Sequence, residues 1–269
     1  MDLTLAIIGA GNMGEALLRG LLRSGWITAD RIVCADTPER CEVITQRHGV
    51  RATPDNAEAV TGADIVVLAV KPQIIRAVLS GLADALTSEQ NVISIAAGTT
   101  TAVIEGLLAQ DVPVVRVMPN TPALVDEGMA VVAPGAHATA HSVALAREIL
   151  GTVGAVLELP ESLMDAVTAV SGTGPAYVFY LAEALVDAGV DLGLGHEVAT
   201  ELVVQTMIGS AALLRQADME PAELRAQVTS PGGTTAAAVT VLDGAGVQDL
   251  FRQAVAAAAR RSSELAEGG

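Results

Sequence analysis

The apolar run Leu3–Ile8 ends on Gly9-Ala10-Gly11-Asn12-Met13-Gly14, and a helical pattern follows over Gly14–Leu22. Strand, glycine turn and helix in so short a span leave few folds open. Gly9 permits the tight turn, Gly11 lets backbone approach a ligand, and Gly14 lets the helix pack on the strand. N–H groups at that helix start lack intrahelical partners and favour an anion, so the loop reads as a pyrophosphate cradle for a dinucleotide. Asp36 ends a second strand, Arg31–Ala35. An acid there accepts hydrogen bonds from a ribose diol and repels a 2′-phosphate. It can equally be a turn residue beside the helix cap Thr37. Arg40 lies one helical turn on and is placed to meet a phosphate, so NADH and NADPH both stay open.

The alternation continues. Val50–Thr53, Ile65–Val70, Val92–Ala96 and Val114–Val117 are strand-like, with helical stretches after Pro38 and near 73–86 and 100–109. Ile65–Val70 is purely Ile, Val, Leu and Ala and stops at Lys71-Pro72. Such runs are buried on both faces, which predicts a parallel sheet covered on both sides. Met129–Ala133 and Val156–Leu159 add strands around a helix near 138–150. After Pro160 the strand signals stop: Ser162–Leu194, Glu197–Arg215 and Thr235–Glu267 are helical and rich in Ala, Leu and Val. The expected fold is α/β, with an N-terminal Rossmann-like dinucleotide-binding domain over 1–159 and an all-helical domain over 160–269.

Of 269 residues 51% are hydrophobic and only 2% aromatic, so the core must be aliphatic. A net charge of −16 excludes the basic stripe of a nucleic-acid surface. Arg19, Arg23, Arg31, Arg40, Arg47 and Arg51 nevertheless crowd the first fifth of the chain, either as solvated surface or as positive potential near a phosphorylated cofactor. No uncharged apolar run approaches the ~18–20 residues of a membrane span. The first residues lack the basic start of a secretory signal, and Cys34 and Cys41 are too few for a disulfide framework. A cytoplasmic protein that uses neither membrane nor nucleic acid is expected. His137 and His141 stand four apart with no carboxylate between them and no cysteine beside them, so no metal site is expected.

A second constellation lies far downstream. Ser230-Pro231-Gly232-Gly233-Thr234-Thr235 precedes the helical Ala236–Leu242, giving another helix start with exposed N–H groups and two hydroxyls beside them. A small carboxylate suits it. Lys71 and Asn120 close strands at the edge where ligands gather in open α/β sheets, or are simply a solvated strand end and a rigid turn between prolines. Ser171–Tyr177 interrupts a helical run with small residues that suit either close packing or a ligand.

Together and in this order, these pieces resemble pyrroline-5-carboxylate reductase, over essentially all 269 residues. The marks are Gly9–Gly14, Ala69-Val70-Lys71-Pro72, Ser94–Gly98, Met118-Pro119-Asn120-Thr121-Pro122, Asp165–Tyr177 and Ser230–Thr235. The resemblance implies reduction of 1-pyrroline-5-carboxylate to L-proline by hydride transfer from NADPH or NADH. It assigns the pyrophosphate to Ile8, Gly9, Ala10, Gly11, Asn12 and Met13, and the adenosine end to Asn56. Ala69, Val70, Lys71, Pro72, Ile95, Ala96 and Ala97 would line the nicotinamide side, and Gln227 stands where the family often has Asn near the cofactor. Glu161, Thr234 and Thr235 match positions that meet substrate, with the Thr235 hydroxyl on the ring nitrogen and backbone N–H groups around Gly233-Thr234-Thr235, beside Ser230 and Gly232, on the carboxylate. The resemblance also implies a homodimer whose helical half interleaves with a second chain and completes the site, often assembled as five dimers. Two departures stand out. Ala35-Asp36 replaces the small polar residue or Arg common in NADPH-preferring members, and Thr173 replaces a common Ser.

Two rival readings remain at this level. One is a reductase of another small imine or keto acid, but the hydroxyacid dehydrogenases on this plan place a lysine after the Ser-Gly segment, and Lys71 is the only lysine here. The other is a non-catalytic NAD(P)-binding redox sensor, which would have no use for Ser230–Thr235.

Overall fold

A computed structural model describes residues 3–267. Its sheet has eight strands: β1 (Leu5–Ile8), β2 (Ile32–Ala35), β3 (Arg51–Thr53), β4 (Ile65–Leu68), β5 (Asn91–Ser94), β6 (Val114–Met118), β7 (Gly128–Pro134) and β8 (Gly154–Glu158). The order is β3-β2-β1-β4-β5-β6-β7-β8. Chain direction across the sheet reverses between β1 and β4, the switch point where open α/β sheets leave a crevice.

Why these apolar runs are uninterrupted follows from where alternate side chains go. Leu5 and Ile7 join one buried cluster while Ala6 and Ile8 join the other, and Ile65 and Val67 part from Val66 and Leu68 in the same way. Each face is sealed by helices, among them α1 (Asn12–Ser24) on one side and α4 (Pro72–Leu82) on the other. α1 buries Leu17, Leu18 and Leu21 and ends on Gly25, whose φ of 69° is the left-handed cap a glycine takes without strain. α2 (Pro38–His48) starts as the sequence indicates, with Pro38 in its first turn and the Thr37 hydroxyl accepting from the Arg40 N–H. The cysteines are buried and unbonded. Burial, helped by Cys41 and Asp36, pushes the Cys34 thiol up to about 12 and keeps it unreactive.

The sheet departs from the all-parallel expectation at its last two strands. β7 runs antiparallel to β6, and β8 is parallel to β7. Between β6 and β7 lie only residues 119–127, with a short 3₁₀ turn at Thr121–Val125, too little chain for a crossover helix. The helix expected over 100–109 is also shorter: α5 spans Thr101–Glu105 and stops at Gly106.

The described residues form two compact units, one comprising 3–173 with 258–267 and the other 174–257. The first holds the whole sheet with its helices α3 (Asn56–Val60), α6 (Ala140–Gly151) and α7 (Met164–Val167). Beyond α7 a π turn over Thr168–Gly172 breaks the helical run, and the Asn120 side chain braces it by donating to the Ser171 carbonyl at 3.2 Å. The second unit contains α8 (Gly174–Asp191), α9 (His196–Gln216), α10 (Pro221–Gln227), α11 (Thr234–Gly244) and the start of α12 (Val247–Glu267). α8 turns back onto α9 at Gly193, with φ 95°, and Gly189 lies so near Ala199 that an added Cβ would stand 3.2 Å from the alanine methyl.

Almost nothing in this second unit is covered by its own chain. α8 and α11 bury no residue and α9 buries only Ala199. Phe179, Tyr180, Leu192, Ile208 and Val241 are 59–87% exposed. Apolar surface of that extent marks an association face. Among the described residues one helix, α9, is long and apolar enough to cross a bilayer, with Glu197, Glu201 and Arg215 along it.

Candidate active site

A cleft of about 800 Å³ opens at the switch point, floored by the carboxyl ends of β1, β2 and β4. It brings together Gly9, Gly11, Asp36, Asn56, Ala69, Val70 and Lys71, all singled out from sequence. Gly9 has φ +98°, and a Cβ there would stand 2.7 Å from the Ala69 carbonyl oxygen of the neighbouring strand end. At Gly14 a Cβ would lie 2.1 Å from the Gly9 oxygen, so helix and loop meet through bare backbone. Gly11 is different. An added Cβ meets nothing within 4 Å, which leaves its place in the cleft open to a ligand. Gly11 also caps α1 without a side-chain hydrogen bond, so the first turn directs unpaired N–H groups at that space. A cradle of this kind fits a pyrophosphate.

The walls of the cleft carry residues the sequence did not reveal. Thr37, Pro38, Pro54, Ile74 and Val78 line it, brought there by strand order alone. Pro72 and Ala97 line a second cavity beside the end of α12, while Ala96 is buried and Ile95 packs against the core. His137 lies 3.5 Å from Asp111, away from the cleft.

Four of the six arginines crowded into the first fifth meet carboxylates. Arg23 meets Asp126, Arg51 meets Glu58, and Arg40, Arg47 and His48 converge on Glu15. Arg19 donates to the Leu124 carbonyl. Burial raises the Glu15 carboxyl, but hydrogen bonds from His48, Arg40 and Arg47 outweigh it and draw the group from 4.5 down to about 2. Its folded value lies below its unfolded one, so the stability it supplies is whole above pH 4.5 and is lost as pH falls toward 2. Urea midpoints of the native chain are therefore expected to fall faster over that range than those of Glu15→Gln. Parallel profiles would show that the cluster does not couple to folding.

Glu161 sits in the first unit as the hub of another network. Its carboxylate accepts from the Thr101 N–H at 2.8 Å, the Thr101 hydroxyl at 2.6 Å and the Arg116 guanidinium at 3.1 Å. Arg116 is only 5% exposed, so removal of its partner leaves a buried charge unmatched. Glu161→Ala is expected to destabilise the fold by about 3 kcal/mol in urea unfolding. A variant of native stability with weakened substrate binding would place the role of Glu161 at the substrate instead.

In the second unit, α11 begins at Thr234 after the cap Gly233, which offers no side-chain bond. Gly232 has φ +70°, and a Cβ on Gly233 would lie 2.5 Å from the Ser230 hydroxyl, so both glycines are needed to bend the run into the helix start. The N–H groups of Thr234, Thr235 and Ala236 fall in that first turn, with the Thr235 side chain at its second position. Gln227 closes α10 and its amide donates to the Met219 sulfur at 3.3 Å.

Comparison with known proteins bears on both units. Residues 161–265 match the family model described as pyrroline-5-carboxylate reductase dimerisation, and residues 4–98 match that of NADP oxidoreductase, coenzyme F420-dependent. A pyrroline-5-carboxylate reductase of Pseudomonas aeruginosa is 46% identical over 265 residues, covering 98% of this chain and 97% of that one. The chain belongs to the pyrroline-5-carboxylate reductase family. Among solved structures, the reductase of Coxiella burnetii superposes with a TM-score of 0.92 at 37% identity, covering 98% of this chain and 99% of that one. The Plasmodium falciparum enzyme, crystallised with NADP bound, gives 0.88 at 31% identity, with 98% of each chain covered. Membership accounts for the bare helices of the second unit: in this reductase family the segment is a dimerisation segment, and the chain self-associates through it.

Proposed function

We propose that the chain reduces 1-pyrroline-5-carboxylate to L-proline with NADPH or NADH as reductant. The observation that carries this reading is the helix start at Gly233-Thr234-Thr235, which offers a second set of uncapped N–H groups besides those at the head of α1. A redox sensor has no need of it.

The cofactor, when bound, supplies a hydride to the substrate. Ile8–Gly14 hold its pyrophosphate, Asn56 its adenosine end and Ala69–Pro72 with Ile95–Ala97 its nicotinamide end, with Gln227 near it. Backbone N–H groups from Gly233 onward, beside Ser230 and Gly232, hold the substrate carboxylate, and the Thr235 hydroxyl bonds the ring nitrogen. Glu161 is assigned to the substrate as well as to its own network. A protonated cyclic imine is already electrophilic at carbon. What the protein must contribute is placement and exclusion of water. In this reading residues 1–159 serve the cofactor and 160–269 serve substrate and assembly, up to five dimers, in the cytoplasm. The apolar face of α9 is covered by a second copy rather than by lipid.

Oxidation of NADH and NADPH, followed by absorbance with 1-pyrroline-5-carboxylate present, tests the reaction. Fast turnover is the expected result. None from folded, cofactor-binding protein would redirect the search to larger cyclic imines and then to a sensor. Light scattering on the eluted protein, expected to give a dimer or a multiple of it, tests the assembly.

A further inference from the structure

We infer that Asp36 makes this site selective for NADH over NADPH, an inference that rests on the cofactor cleft of the proposed function. The Asp36 carboxylate stands in the cleft wall at the carboxyl end of β2, and both its oxygens are fixed by backbone donors. One accepts from the Ala10 N–H of the glycine loop at 2.7 Å and the other from the Thr37 N–H at 2.7 Å. Two such bonds fix the anion in place. Each carboxylate oxygen retains a further lone pair, enough to receive the two hydroxyls of a ribose diol. A 2′-phosphate in that position would put two negative charges in contact.

The arginines on the Asp36 side of the cleft are committed elsewhere, and Lys71, the other cation of the cleft, follows β4, two strands away from β2. Arg40 is the cation of this wall, and it is tied at both ends: its Nε donates to the Ala10 carbonyl at 2.7 Å and its terminal nitrogen pairs with Glu15. Glu15 stays ionised far below neutral pH, so the pair holds under working conditions. Arg47 is drawn to the same carboxylate and Arg51 to Glu58. The start of α2, another place a phosphate could rest, is unsuited as well. Pro38 lacks an N–H, the Arg40 N–H is taken by the Thr37 hydroxyl, and Glu39 places a carboxylate in the first turn. On the β2 side of the cleft the arginines and the capped start of α2 are thus committed, while a diol acceptor is present and held by two backbone donors.

Titration of the purified full chain with NADH and with NADPH, followed by nucleotide fluorescence, gives two dissociation constants independent of any turnover. NADH is expected to bind at least about tenfold more tightly. Asp36→Asn keeps an acceptor but removes the charge, and should narrow that ratio by about tenfold, mainly through tighter NADPH. Equal or tighter NADPH binding by the native chain overturns the inference, as does an unchanged ratio in Asp36→Asn. Binding of neither nucleotide overturns it together with the cofactor cleft. Selective NADH binding without turnover of 1-pyrroline-5-carboxylate would uphold it and sink the proposed reaction instead.

Discussion

Gly11→Val is expected to weaken NAD(P)H binding by at least about a hundredfold, or ~2.7 kcal/mol, while leaving the chain folded. The separation of these two effects is what makes the variant informative. Gly11 has φ −69°, an ordinary value for any residue, and a Cβ there meets no atom within 4 Å. The folded chain can therefore carry the side chain, at a cost near that of a poor helix cap, about 1 kcal/mol. A ligand phosphate that must approach the same backbone cannot. Gly9 and Gly14 would not give so clean a result, because at those positions a Cβ stands 2.7 and 2.1 Å from carbonyl oxygens of the fold itself. Fluorescence titration beside thermal unfolding reads both quantities. Native affinity in Gly11→Val would refute the cleft as the cofactor site, and a collapse of Tm would make Gly11 a residue of the fold.

Thr235→Ala is expected to lower kcat/KM for 1-pyrroline-5-carboxylate by roughly ten- to a thousandfold, ~1.4–4 kcal/mol of transition-state binding. Thr235 occupies the second position of α11, so its hydroxyl lies beside the N–H groups assigned to the carboxylate. Loss of the hydroxyl removes an orienting bond to the ring nitrogen and leaves the helix start intact, since Gly233 and not Thr235 is the cap. Cofactor affinity should hardly change, because the pyrophosphate cradle is a separate helix start at the head of α1. Thr235→Ser, which restores a hydroxyl, should recover most of the rate. Full activity in Thr235→Ala would reduce the residue to a helix former.

Much of the fold is legible in the sequence because its signals are local. Ile65–Leu68 reads as a two-sided buried strand from four side chains, and the glycine loop announces its turn through residues that must tolerate positive φ or close contact. The antiparallel turn of β7 is less visible. It depends on how much chain separates two strands, not on the strands themselves. Asp36 shows the same limit at the level of a site. From sequence it is both a ribose acceptor and a turn residue, and the structure has it bond the glycine loop across 26 positions of chain while facing the cleft.

Sequence by itself determined most of the elements, the two glycine-rich helix starts and the helical character of the second half, since each follows from periodicity or from a residue's own backbone freedom. Tertiary structure decided which charges are free to act. Six arginines near a phosphate loop look like a positive field when read along the chain. Folded, Arg23, Arg40, Arg47 and Arg51 meet carboxylates as far as 103 residues away, and the Asp36 carboxylate faces the cleft held by two backbone donors. Coulomb pairing acts through distances of a few ångströms in space, and no local pattern in a sequence records which side chains folding will bring within that range.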